Sequence, residues 1–322
     1  MLVEKGWQRQ AYHKDIVMAS NTTQEKSFPI LPLLLTLGAT AGLSALAVRF
    51  YRRPYEMLID VAHAGMLLSG VREETIDAGG LPMHFYCAGR RGTPVVLVHG
   101  LGSSAETWAP LMWLLSKELL VYAADMPGFG RTPMASEGVN ILTHVLYLER
   151  FLNALGYPRV ILAGNSLGGW IVTHFAAEHP ERVEHLYLLN SAGLRREKMN
   201  SPYAVDRASA RRSMEYMLGR SMPLPGFVLD AMIRNSQNPA YAGFIHGYDP
   251  AEELDSVLAQ VQTPTTIIWG EQDGLFPVSI AHEFHAGIPN ADLVLLPHAA
   301  HMPQTQASIK VAQIIIRDAG MG

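Results

Sequence analysis

Three residue types that together can perform acyl transfer occur in this chain in a telling order. Ser166 stands in Gly164-Asn165-Ser166-Leu167-Gly168, a G-x-S-x-G pattern; the turn Glu271-Gln272-Asp273 follows far downstream, and His298 and His301 come after it. A serine hydroxyl is a weak nucleophile at neutral pH. It needs a base to take its proton, and the base needs an acid to hold it in the right tautomer. Asp273 is the expected acid, because it lies in a turn of the form G-x-x-D-x-x-x-P from Gly270 to Pro277; Glu271 is the alternative. The other common place for an acid, the loop Asn190-Ser191-Ala192-Gly193, contains no carboxylate. His301 is the expected base, since it has room to reach back over a sheet and stands just before Met302-Pro303 and the last helix; His298 is the alternative. Charge developing on a substrate oxygen needs donors. The backbone N–H of Leu167 is one candidate, and that of Leu101, in His99-Gly100-Leu101-Gly102, is the other. His99 reads as a structural hydrogen-bonding residue.

Such groups work only if the chain around them positions them. Val160–Ala163 is a short apolar run that reads as a buried strand, and a helix follows Gly169 to about His179. A serine on so sharp a strand-to-helix turn sits in a strained backbone, and a side chain at Gly164 or Gly168 would collide with the neighbouring strand or helix. Further strands are expected at Val71–Asp77, Leu81–Ala88, Pro94–His99, Leu119–Asp125, Val183–Asn190, Thr263–Gly270 and Ala291–Pro297. Helices are expected at Ala105–Lys117, Val139–Leu155, Pro277–Gly287 and Pro303–Ala319. Strands alternating with helices of ten or more residues imply a mostly parallel, doubly wound α/β sheet, with catalytic groups on loops at the carboxyl ends of the strands. The alternation breaks between Ser191 and Val261, a segment rich in arginine and methionine with no apolar strand run. It reads as a helical lid at about residues 194–258. Its methionines suit an adaptable apolar pocket, and its arginines read as a solvated face.

The chain has 322 residues, 48% of them hydrophobic and 17% charged, with a formal net charge of −4. That balance supports a large core and speaks against nucleic acid as a partner. The single cysteine, Cys87, allows no intrachain disulfide and reads as a small core residue. Residues 1–27 are polar and mixed in charge. Phe28–Val48 is free of charged residues and long enough to cross a bilayer as a helix. A single-pass membrane anchor is the leading expectation; a signal peptide cleaved near Ala45-Leu46-Ala47 is the alternative. Residues 49–70 form a linker in which Tyr55–Leu68 reads as an amphipathic helix. The folded domain is expected to span residues 71–322.

The segments HGLG, DMPGFG, GNSLGG, IIWGEQDGLFP and PHAAHMP, in this order and spacing, resemble the α/β-hydrolase family from about Val71 to the C-terminus. The anchor, the methionine-rich lid and LLNSAGLRRE are similar to its membrane-anchored monoacylglycerol lipase and carboxylesterase branch. The resemblance implies an α/β-hydrolase fold and a cofactor-free serine ester hydrolase acting on a lipophilic, monoacylglycerol-like ester. It gives Ser166, Asp273 and His301 the catalytic roles. The family's histidine turn usually carries a glycine, where this chain has His298-Ala299-Ala300-His301. GNSLGG also resembles the hydrolases that split carbon–carbon bonds in vinylogous diketones. Those usually carry a tryptophan after the histidine, where Met302 stands here. Thioester hydrolysis on the same triad and a non-catalytic binding role are the remaining alternatives. Dehalogenases and epoxide hydrolases need an aspartate at position 166.

Overall fold

Mostly apolar runs flanked by glycine- and proline-bearing turns become the strands of one sheet in the computed structural model of the protein, which describes residues 63–194, 199–247 and 249–320; the charged edge segment Arg72–Asp77 is the exception. The strands are β1 (Arg72–Asp77), β2 (Pro82–Ala88), β3 (Pro94–Val98), β4 (Leu120–Ala124), β5 (Val160–Asn165), β6 (Val183–Leu189), β7 (Thr265–Gly270) and β8 (Ala291–Leu296). Their order across the sheet is β1-β2-β4-β3-β5-β6-β7-β8. β1 and β2 form an antiparallel hairpin, and β2 runs antiparallel to β4. All later neighbours are parallel.

The helices that cover the sheet are α1 (Ala109–Leu115), α2 (Ile141–Leu155), α3 (Leu167–Glu178) and α7 (Val278–Gly287) between strands, and α8 (Pro303–Gln306) and α9 (Ser308–Ala319) after the last strand. Successive strand residues point to opposite faces. Val96 and Val98 therefore join Phe151, Phe175 and Trp269 in one core layer, while Val95 and Leu97 join Trp108, Ile268 and Ile315 in another. β5 is buried at all six positions, as a parallel strand covered on both faces should be. Cys87 is buried in β2. α2 starts two residues later than expected because the Asn140 side chain caps it, accepting from the Thr143 N–H at 2.7 Å; Gly156 ends it at φ 76°.

Two expectations need correction. Ala105–Lys117 is a 3₁₀ turn, Ala105–Trp108, leading into the shorter α1. The closing helix is broken in two at Ala307, where φ is −138° and ψ 34°. The break lets Gln306 turn back, its Oε1 accepting from the Ala300 N–H at 2.9 Å and the Met302 N–H at 3.3 Å.

Between β6 and β7 the described chain holds no strand. It forms α4 (Arg207–Leu218), α5 (Gly226–Ser236) and α6 (Pro239–His246), then short 3₁₀ turns from Pro250 to Gln260. This is the expected helical insertion. Arg207 lies exposed, paired with Asp230 at 2.7 Å. At the other end, residues 63–68 are helical and leave Leu68 exposed. The proposed membrane span Phe28–Val48 and most of Tyr55–Leu68 lie outside the described residues. Among those described, no helix is long and apolar enough to cross a membrane.

Candidate active site

Ser166 sits between β5 and α3 with φ 55° and ψ −119°. Positive φ in a residue with a Cβ is costly and persists only where neighbours enforce it. They do so here: the Ser166 N–H donates to the Leu189 carbonyl at 3.1 Å, and the Ser166 carbonyl accepts from Ala192 at 2.9 Å and Trp170 at 3.2 Å. A Cβ on Gly164 would strike the Gly168–Gly169 backbone of α3, and one on Gly168 would strike the Val98 carbonyl. Both glycines are thus required by close backbone approach.

Asp273 and His301 meet after β7 and β8. His301 Nδ1 lies 2.8 Å from Asp273 Oδ2, and both side chains are buried. The same Oδ2 accepts from Asn190 Nδ2 at 2.7 Å, while Oδ1 accepts from the Leu275 N–H at 2.8 Å and the Phe276 N–H at 3.1 Å. Four donors therefore converge on one carboxylate, so Nδ1 of His301 carries its proton toward the acid and Nε2 is left as the acceptor. Phe276 packs edge-on against the imidazole at 5.0 Å. The alternatives Glu271 and His298 are exposed on the surface.

Ser166, His301 and Leu101 line one cavity of about 260 Å³. Its apolar wall comes from Met214, Met217 and Met232 of the lid together with Leu275, Phe276 and Met302; among its described lining residues none carries a formal charge at neutral pH. Leu101 lies at the first central position of a turn closed by Ser103 N–H to Gly100 C=O at 3.2 Å, with Gly102 at φ 68°. That combination is a type II turn. Leu167 is the first residue of α3, so its N–H has no partner within the helix.

Several further residues hold the loops of this site in place. Asn190, at φ 42°, joins Asp273 to β7 by also accepting from the Gly270 N–H at 2.9 Å. Asn165 Nδ2 donates to the His301 carbonyl at 3.0 Å and the Leu189 carbonyl at 2.9 Å, and its Oδ1 accepts from Gln304 at 3.0 Å. The end of α4 holds the loops of both Asp273 and His301: the Tyr216 carbonyl accepts from the Gly274 N–H and the Met217 carbonyl from the His301 N–H, at 3.0 and 3.2 Å. An asparagine at the end of a buried strand, with no apolar reason to be there, was the available signal for Asn190.

His99 is structural. Its Nδ1 donates to the Gly100 carbonyl at 2.8 Å, its Nε2 accepts from the Met126 N–H at 3.1 Å, and burial lowers its pKa, so it stays neutral. Beside it, buried Asp125 accepts from Ala105 N–H at 2.7 Å and Arg131 N–H at 2.9 Å and lies 2.7 Å from His84 Nδ1. Burial works against charging His84, but the Asp125 hydrogen bond and charge, joined by Glu73, prevail and raise its pKa. Burial likewise opposes the Asp125 charge, but the bond from His84 together with the backbone N–H groups of Ala105 and Arg131 and the neighbouring His99 offsets it, holding that carboxyl below its usual range. The His84 contribution to stability is complete below its unfolded pKa of about 6.5 and fades as pH rises through the higher folded value. The Asp125 contribution is present above about pH 4 and is lost in acid. Thermal unfolding should therefore show Tm falling as pH rises above about 6.5, and His84→Gln should flatten that alkaline limb. An unchanged slope in the variant contradicts the assignment.

A family model described as the alpha/beta hydrolase fold matches residues 93–216. The chain is 29% identical over 259 residues to a dihydrolipoyllysine-residue acetyltransferase component of the acetoin cleaving system of Pseudomonas putida, covering 76% of this chain and 68% of that protein. It is 28% identical over 250 residues to the 2-hydroxy-6-oxo-6-(2'-aminophenyl)hexa-2,4-dienoic acid hydrolase of Metapseudomonas resinovorans, covering 71% of this chain and 84% of the relative. Among solved structures, a bacterial membrane phospholipase A described as a virulence factor superposes with a TM-score of 0.74 at 24% identity, over 88% of this chain and 97% of the other. At that identity the likeness speaks for the fold alone. Strand order, the serine turn and the matching family model together give the chain the alpha/beta hydrolase fold.

Proposed function

We propose that this protein is a serine hydrolase that cleaves uncharged, lipophilic carboxylic esters through an acyl-enzyme. The observation that carries the reading is the hydrogen-bonded Asp273–His301 pair, with His301 and Ser166 lining the same methionine-walled cavity, whose described lining residues carry no formal charge. His301, oriented by Asp273, takes the Ser166 proton as the hydroxyl attacks the ester carbonyl. The Leu101 and Leu167 N–H groups hold the oxyanion. His301 then protonates the leaving alcohol, and water, activated by the same histidine, releases the acid. This chemistry asks for no cofactor. With a p-nitrophenyl ester series as substrate, Ser166→Ala should lower kcat by about 10⁴-fold or more. Retained turnover in that variant contradicts the assignment.

A second reading, cleavage of a carbon–carbon bond, is favoured by the likeness to a relative named as a dienoic acid hydrolase. Such a substrate carries a carboxylate. Burying that charge without a partner costs several kcal/mol, and no cationic side chain is among the described residues lining the cavity. Esters are therefore preferred, and side-by-side turnover of esters, thioesters and a dienoate distinguishes the readings. A protein that turned over none of them and resisted serine-directed probes would be a binding module.

The uncharged stretch Phe28–Val48 supports attachment to a bilayer, which would deliver lipophilic esters locally, monoacylglycerols among them. The full-length protein is then expected to stay with membranes after a high-salt wash. Recovery in the soluble fraction overturns the anchor.

A further inference from the structure

The turn that carries Leu101 is gripped by the lid. Asn235, the next-to-last residue of α5, donates from Nδ2 to the Gly102 carbonyl at 2.5 Å. Tyr241 of α6 lies beside it: a Cβ on Gly102 would sit 2.5 Å from its ring and 2.8 Å from Asn235 Nδ2. Glycine is therefore required at position 102 both for its positive φ and for the space that these two side chains take. The same corner of the lid touches the next turn. Asn238 Nδ2 donates to the Gly128 carbonyl at 3.3 Å, and Ala240 fills the space above Gly128.

Resting on the hydrolase reading above, we infer that Asn235 is a positioning residue that makes the oxyanion donor depend on the lid. In a type II turn the orientation of each peptide is fixed by its neighbours. With the Gly102 carbonyl held by Asn235 and Ser103 N–H held by Gly100, the turn has one arrangement, which fixes the Gly100–Leu101 peptide and with it the direction of the Leu101 N–H. When α5 moves away, the carbonyl loses its donor and Tyr241 leaves its seat on Gly102. The turn is then free to rotate and the donor is lost. The lid thus does more than cover substrate: the hole is complete only when the lid is shut, so the acyl transfer step waits for closure.

The contribution should appear in the transition state and leave ground-state binding alone. Removing an oxyanion donor outright costs about 10²- to 10³-fold in kcat, so an indirect loosening should cost roughly ten- to thirtyfold. For Asn235→Ala we expect that fall in kcat on p-nitrophenyl butyrate with KM within about twofold. The Ki of a trifluoromethyl ketone, which forms the tetrahedral adduct, should rise by the same factor, while the Ki of the matching unreactive secondary alcohol stays put. Asn235→Asp, isosteric but with an oxygen able to face the Gly102 carbonyl, should fall further and guards against a folding artefact in the alanine variant. Unchanged kcat and ketone affinity in both variants overturns the inference, as does a parallel rise in both inhibitor constants. Failure of the wild-type protein to hydrolyse any ester or bind the ketone overturns the hydrolase reading itself, and the inference with it.

Discussion

Replacing Asp273 by asparagine is expected to lower kcat by about 10⁴-fold while leaving the fold intact and KM little changed. The reason lies in the four donors around the carboxylate. Oδ2 accepts from His301 and Asn190, and Oδ1 from the backbone of Leu275 and Phe276. An asparagine has only one oxygen to offer. In one flip its NH₂ faces two backbone N–H groups; in the other it faces the Asn190 amide and the His301 proton. The second is tolerated only if the imidazole moves its proton to Nε2, where it can no longer accept from Ser166. A steady-state comparison on a p-nitrophenyl ester checks the size of the effect. A fall of less than about tenfold would remove Asp273 from the proposed role.

The second large effect concerns stability. Gly168→Ala places a methyl group against the Val98 carbonyl oxygen, with the His99 carbonyl close behind. Neither can yield, because Val98 is paired with β4 on one side and β5 on the other. Overpacking against backbone of this kind belongs to the rare substitutions that cost more than about 4 kcal/mol, a large part of the stability of a typical domain. Urea unfolding should show a collapse of the midpoint or no folded protein at all. The same change at Gly156, where a Cβ meets nothing within 4 Å and only the backbone angle of 76° opposes it, should cost far less, about 1 kcal/mol. Equal losses at the two positions would mean that close packing is not what position 168 demands.

Much of this was legible in the residue order. Parallel strands covered on both faces show as apolar runs, so β3, β5 and β7 could be located to within a residue or two. The serine turn shows because its glycines answer to backbone collisions that admit nothing larger. The preference for Asp273 over Glu271 rests on turn chemistry alone; in the structure Asp273 is bonded to His301, and Glu271 is exposed. What stayed hidden depends on contacts between distant segments. Asn190 reaches an acid 83 residues away, and Asn235 reaches a turn 133 residues away. Neither belongs to a pattern of fixed spacing. The break at Ala307 has no glycine or proline to announce it; it follows from the way Gln306 is drawn back to the His301 loop. The start of α1 was misplaced because a 3₁₀ turn and an α-helix share the same apolar spacing over one turn.

The central claim is that Ser166 is a nucleophile activated by His301. It is tested most directly by treating the full-length protein with a fluorophosphonate and reading the adduct by mass spectrometry after proteolysis. The account predicts one phosphonyl group per chain, located on Ser166, formed in the wild-type protein and lost in both Ser166→Ala and His301→Ala. An adduct on any other residue, or labelling of Ser166 that persists undiminished without His301, would contradict it.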